Sequence, residues 1–351
     1  MESKKLAAIL VLIGIIVVVL IGFYVWFFQP SLLSFLRKEV VKTPVEVVVP
    51  QQQISGTLFF SLFPDNTATP LGIYSYKFIS GRLQRVLVDP STSAVDYSIR
   101  LSPSFSDDES IMVFAGRKIS EPAIQIYTAL PDGTGIRQIT NGPEVFKREP
   151  IISPSKSLIA YISQREDLKE GETTEFPEGW TVFLTNLSGK AVKVSNGVNP
   201  LFSPDETKLL VLKNDGLYIF DIKDTLNPKE IGVVVKTVDG RASQTMKLSL
   251  SRDRNMLAWS SPGKKNVVVS KINSWESFSI TPIKVFQVKA YWSVFSPDGK
   301  SLGLQEIRVS EKTGNEYVVI SVYDIATSVA TDIIKLNKYT NEFLWFGGWI
   351  K

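Results

Sequence analysis

From about residue 56 onward, short apolar runs alternate with tight polar turns. The clearest case is Val294-Phe295, then Ser296-Pro297-Asp298-Gly299-Lys300, then Ser301-Leu302-Gly303-Leu304. Proline fixes φ at the second position of a type I turn, aspartate tolerates the third and glycine fits the fourth, so this stretch predicts a β-hairpin. The arrangement recurs. Phe105-Ser106-Asp107-Asp108-Glu109 precedes the run 111–114, and Ile152-Ser153-Pro154-Ser155-Lys156 precedes 158–161. Phe202-Ser203-Pro204-Asp205-Glu206 precedes 209–212, and Leu250-Ser251-Arg252-Asp253-Arg254 precedes 256–259. The turn serines 106, 153, 203, 251 and 296 are 47, 50, 48 and 45 residues apart. A repeat of this length with several short strands in each unit predicts propeller blades.

Each unit from the second onward reads as four strands, one before the turn and three after it. The first group has only three, over 57–62, 72–78 and 82–88. The missing one is found at the far end, where Glu342-Phe343-Leu344-Trp345-Phe346-Gly347 matches Tyr291-Trp292-Ser293-Val294-Phe295-Ser296 in place. Residues 342–350 are therefore expected to supply the inner strand of the first blade. The predicted fold is all-β: a six-bladed β-propeller of four-stranded blades over 56–351, closed by the C-terminal strand. Closure removes the open edges that a linear array would leave.

The N-terminal pattern differs. Leu6 to Phe28 runs 23 residues without a charge. As a helix it would be about 35 Å long, enough to span a bilayer core of about 30 Å. Phe23, Tyr24, Trp26, Phe27 and Phe28 make an aromatic belt at its distal end, and the run lacks the small-residue cleavage site of a signal peptide. The expectation is one transmembrane α-helix over 6–28, in contact with lipid, behind a cytoplasmic tail of residues 1–5. Lys4 and Lys5 favour that orientation, against Arg37, Lys38 and Lys42 on the other side. The propeller is then expected outside the cytoplasm. Residues 29–55 read as a stalk in which Val45–Val49, flanked by Pro44 and Pro50, is either an extended tether or an edge strand.

The chain contains neither Cys nor His. Disulfides, thiolate nucleophiles, Ser-His-Asp triads and imidazole-based metal chemistry are thereby excluded. A net charge of +4 with no basic stripe gives no reason to expect nucleic acid. No cofactor motif is present. The units resemble the TolB-like, WD-type propeller repeat of bacteria: Phe-Ser-Pro-Asp-Gly, an apolar strand, a third strand bearing Tyr or Phe, and an ending such as Arg137-Gln138-Ile139-Thr140. The resemblance covers about residues 56–350 and implies the fold. A membrane anchor and stalk stand where TolB has an α/β domain.

Two faces of the disc follow from alternating strand direction. The recurrent turns lie on one, and the longer loops 89–100, 142–149, 165–179 and 308–316 lie on the other, which is the expected binding face. The loop from Arg165 to Trp180 is the candidate partner-binding segment, with Glu166, Asp167, Glu170, Glu172, Glu175, Phe176 and Trp180 as its residues. A solvated insertion with its aromatics tucked onto the blade is the competing reading. Asp107-Asp108-Glu109 could suggest paired carboxylates, but its place is that of the recurrent turn. Trp259, Trp292, Trp345 and Trp349 either line a sugar site or pack between blades. The sequence favours a non-catalytic scaffold binding a protein partner or a cell-envelope polymer. The alternative is a carbohydrate-active hydrolase with two carboxylates in the central channel. A structural subunit of an envelope complex, paired through the anchor helix, is a third reading.

Overall fold

Every recurrent turn joins the first two strands of an antiparallel sheet, and six sheets follow one another along the chain. The computed structural model describes residues 46–47, 54–62, 72–86, 97–118, 123–142, 146–164, 179–236, 248–261, 266–336 and 345–351. The chain divides into two units, 1–44 and Val45–Lys351, and only the second contains described residues. The predicted span 6–28 and the cytoplasmic tail lie outside the described residues. Among the described residues no helix is long and apolar enough to cross a membrane.

Strand β1 is Glu46–Val47. Blade I contains β2 (Thr57–Leu62), β3 (Gly72–Lys77) and β4 (Arg82–Val86), and blade II contains β5 (Tyr97–Phe105), β6 (Met112–Lys118), β7 (Gln125–Ala129) and β8 (Arg137–Gln138). Blade III is β9 (Lys147–Ile152), β10 (Leu158–Gln164), β11 (Trp180–Asn186) and β12 (Ala191–Asn196). Blade IV is β13 (Val198–Phe202), β14 (Lys208–Lys213), β15 (Gly216–Asp221) and β16 (Lys229–Lys236). Blade V is β17 (Leu248–Leu250), β18 (Met256–Ser261), β19 (Asn266–Ser274) and β20 (Ser279–Phe286). Blade VI is β21 (Ala290–Phe295), β22 (Ser301–Val309), β23 (Glu316–Asp324) and β24 (Ala330–Leu336), and β25 (Trp345–Ile350) ends the chain.

The terminal strand β25 pairs with β2, giving blade I the order β25-β2-β3-β4. Its position along the blade differs from the sequence alignment by three residues. Trp349 lies opposite Leu58 as Phe295 lies opposite Leu302, whereas the alignment put Phe346 in that place. β25 and β2 are far apart in sequence, so no hairpin turn between them fixes the register. Close packing does so instead: a Cβ on Gly347 would overlap Pro103, and one on Gly348 would come within 2.8 Å of the Phe105 ring. Of the two readings of Val45–Val49, the edge strand holds at Glu46 and Val47, and Val45, Val48 and Val49 lie outside the described residues. Glu46 and Val47 pair with Lys335 and Ile334, so β1 is a fifth, edge strand on blade VI. The predicted long loop 308–316 shortens to 310–315, because Arg308 and Glu316 belong to β22 and β23.

Buried apolar residues collect between blades rather than within them. Phe59 and Ile73 of blade I meet Met112, Phe114 and Tyr127 of blade II. Val113 and Ile126 of blade II meet Ile159 and Tyr161 of blade III, and one larger cluster joins blades III, IV and V. Val267 and Phe286 of blade V meet Leu302 and Tyr323 of blade VI. Ile320 and Ile334 of blade VI meet Leu58, Tyr76 and Trp349 of blade I. Each sheet is covered on both faces by its neighbours, which explains strands that are apolar on both sides.

The turns are held by their serine and aspartate. In each of the five, the backbone N–H of the fourth residue donates to the serine carbonyl, as in Gly299 to Ser296 at 2.9 Å. The fourth residue takes a left-handed φ, +60° at Glu109, +66° at Lys156, +58° at Glu206, +54° at Arg254 and +70° at Gly299. Only the last is glycine, so four copies tolerate a conformation that disfavours a side chain. The buried serine hydroxyl offsets this. It donates to the aspartate two residues on at 2.6 Å in four turns, through Ser106, Ser203, Ser251 and Ser296. It also accepts the N–H five residues on at 2.9–3.1 Å in all five. Burial pushes Asp205, Asp253 and Asp298 upward, but the serine hydroxyls and backbone N–H groups prevail and hold them below the usual carboxylate range. Exposed Asp108 is lowered by Lys156, then by Ser106 and Ser110.

Candidate functional site

The inner strands of the six blades, β25, β5, β9, β13, β17 and β21, supply residues to the wall of a cavity of about 220 Å³ that reaches the face carrying the turns. Three consecutive blades shape the wall in the same way. Four residues before the turn serines stand Ser102, Glu149 and Asn199, each followed by a proline: Pro103, Pro150 and Pro200. Proline has no N–H for the ladder, and the residue before it is kept out of the right-handed helical region. The strand pairing shifts register at each place, and φ is +49°, +49° and +53° at the three preceding residues. Each such left-handed residue costs about 1–2 kcal/mol. The bulges place Ser102, Glu149 and Asn199 along the cavity, all more than nine-tenths buried. Trp292 occupies the equivalent position in blade VI. Among the walls, Ser249 and Ser293 of neighbouring blades share a hydroxyl contact at 3.0 Å.

Charged side chains cross the mouth of the cavity. Arg252 of blade V pairs with Glu109 of blade II and also donates to the Asp107 carbonyl. Arg254 pairs with Asp107 at 2.6 Å and donates to the Phe202 carbonyl at 3.2 Å. The backbone N–H of Lys351 donates to Glu109 at 2.9 Å. In a ring of six, blades II and V are opposite one another. The second turn residue of each blade meets the fourth of the other, so the two pairs are related by an approximate two-fold about the channel. Side chains of Arg254 and Glu109 are mostly buried, which screens these pairs less than ordinary surface bridges.

A second ionic cluster lies within blade VI. Arg308 donates to both carboxylate oxygens of buried Glu306, at 3.0 and 3.2 Å, to Asp332 at 2.7 Å and to the Ser321 hydroxyl at 2.9 Å. Burial lowers the Arg308 pKa, but Glu306 and Asp332 more than reverse it, and the guanidinium stays charged. The cluster links three strands of one sheet and reads as structural.

The sequence-predicted site residues Glu166, Asp167, Glu170, Glu172, Glu175 and Phe176 lie outside the described residues. Trp180 begins β11, is buried in the core joining blades III, IV and V, and has the Arg148 guanidinium 5.2 Å from its ring centroid. Burial lowers the Arg148 pKa while neighbouring Glu149 raises it. Of the Asp107-Asp108-Glu109 run, only Asp108 serves the turn; the flanking carboxylates face the mouth. Trp349 packs between blades and stacks on Phe78 at 4.7 Å; Trp292 packs against the same cluster, and both indoles border the cavity. Sequence reading missed Ser102, Glu149, Asn199, Arg252 and Arg254. Two signals mark them: a polar-Pro pair at a constant offset before three turn serines, and opposite charges at matching turn positions in units three apart.

No family model matches the sequence, and no curated protein matches it. Solved structures do resemble the fold. TolB from Acinetobacter baumannii superposes with a TM-score of 0.55 at 14% identity, over 85% of this chain and 68% of that one. Hydrazine synthase from Kuenenia stuttgartiensis gives 0.56 at 13% identity, over 85% of this chain and 47% of that one. A functionally unknown protein from Desulfotomaculum acetoxidans gives 0.50 at 11% identity, over 86% and 91%. At such identities the likeness establishes architecture alone: the chain is a six-bladed β-propeller similar in fold to TolB.

Proposed function

We propose that the chain is a membrane-anchored propeller, held outside the cytoplasm by residues 6–28, that acts as a non-catalytic scaffold binding a protein partner or a cell-envelope polymer. The observation that carries this reading is the pairing at the channel mouth. Hydrolysis by two carboxylates needs one protonated acid and one free base or nucleophile facing a common space. Asp107 and Glu109 are each held by an arginine of the opposite blade, so both carboxylates are already occupied by a partner. The apolar span and its flanking lysines support the anchor, and the TolB-like fold supports a binding role by analogy.

The test uses the full chain in its native membrane. Alkali-resistant retention in the membrane fraction, protease access to the propeller only from the non-cytoplasmic side, and a partner recovered stoichiometrically by crosslinking are expected. Release by alkali, cytoplasmic-side cleavage, or glycoside hydrolysis that disappears in the Glu109→Gln variant would each overturn a named part of the proposal.

A further inference from the structure

We infer that the cavity beneath the arginine strap is a binding site for one neutral, hydroxyl-bearing ring of monosaccharide size. Its place was not the one expected from the loops, and it goes beyond the scaffold reading, which does not require a small ligand.

Size and closure come first. About 220 Å³ behind a strapped mouth accommodates a single ring and not an extended chain. The walls then define the chemistry. Ser102, Glu149 and Asn199 bring a hydroxyl, a carboxylate and an amide to one level of the channel from three successive blades. The Ser102 hydroxyl is buried and has no hydrogen-bond partner within the protein, so it is available to a ligand. All three residues are held in a left-handed conformation, which Trp292 at the equivalent place in blade VI does not adopt. Strain repeated at one level facing one space is characteristic of a site rather than of a core. Trp292 at the same level adds an aromatic wall, and Pro103, Pro150 and Pro200 add flat apolar ones. An aromatic face with several hydroxyl-matching polar groups suits a sugar ring, whose faces are apolar and whose rim is polar.

Charge argues against an anionic ring, and the Glu149 carboxylate in the wall is an acceptor for ring hydroxyls. The cations nearest the mouth, Arg252 and Arg254, are already matched by Glu109 and Asp107, so no excess positive charge is presented to an anion.

The experiment uses the full-length protein in nanodiscs. Saturation-transfer NMR with glucose, galactose, N-acetylglucosamine and inositol is followed by calorimetry on any hit. At least one is expected to bind at one site per chain with Kd below about 10 mM. Ser102→Gly relieves the left-handed residue, so the fold is retained; it should weaken binding about fivefold while leaving the melting temperature equal or higher. Trp292→Leu should weaken it further. An oligosaccharide competing as well as its monomer identifies a chain end as the source, and failure to compete identifies a free sugar; either supports the site. Absence of binding by every member of the panel, or binding indifferent to both variants, overturns the inference. Chemical conversion of a bound ligand would instead remove the non-catalytic reading and leave the site standing.

Discussion

Replacing Trp349 by alanine tests ring closure at its most heavily loaded residue. The indole is 7% exposed, stacks on Phe78, and donates its Nε1 hydrogen to the Ser55 carbonyl at 2.9 Å. It belongs to the cluster in which blade VI meets blade I, between elements nearly 300 residues apart in sequence. Truncating a buried tryptophan costs about 3–5 kcal/mol. Unfolding entropy for a unit running from Val45 to Lys351 is roughly 0.6 kcal/mol per kelvin. A loss of about 4 kcal/mol therefore lowers the melting temperature by about 6 °C. Differential scanning calorimetry of the full chain reads this directly. Truncation after residue 344 removes the whole of β25 and its five paired positions, and it should abolish the single cooperative transition. A Trp349→Ala transition within about 1.5 °C of the parent, or an undiminished one after truncation, would refute closure by the tail.

Three further outcomes follow from named contacts. Because Asp108, Asp205, Asp253 and Asp298 are lowered in the folded state, their stabilisation is complete above the unfolded value near 4 and lost as pH falls through the folded values; melting temperature should be flat above about pH 5 and fall below about pH 4, and a first decline near pH 6 would contradict this. The cysteine-free chain allows Ser249→Cys as a channel probe: maleimide labelling should accelerate about tenfold when Arg252 and Arg254 are both changed to Ala, since the two ion pairs together contribute about 1–2 kcal/mol to keeping the mouth shut, and equal rates would show that the strap closes nothing. Gly347→Ala should cost about 1–3 kcal/mol in urea denaturation through collision with Pro103, and an unchanged midpoint would contradict that packing.

The period was legible because one serine solves the same problem in all five turns, joined by an aspartate in four of them. A serine and an aspartate satisfy backbone groups that a sharp reversal leaves over, so selection for the hairpin leaves both letters in the sequence. Closure was legible for a different reason, since one blade lacked a strand and one strand lacked a blade. Register was not: no hairpin turn joins β25 to β2, and its position depends on Pro103 and Phe105 of a neighbouring blade. The channel residues were hidden because Ser102, Glu149 and Asn199 look ordinary singly; their meaning comes from equal distance to the turn serine. Arg252 replaces the proline of other copies, which reads as decay of the motif until blade V is placed opposite blade II. Loop length pointed to the other face, where much of the chain lies outside the described residues.

Strand β1 gives the assembly a defined point of mechanical entry. Tension drawn through residue 45 arrives at Glu46 and Val47, which among the described residues are zipped to the rim of blade VI by two paired positions, and not at the seam formed by Trp345–Ile350. Two positions yield at low load. A pull from that side peels a short ribbon from the outside of the disc and leaves the circle unbroken.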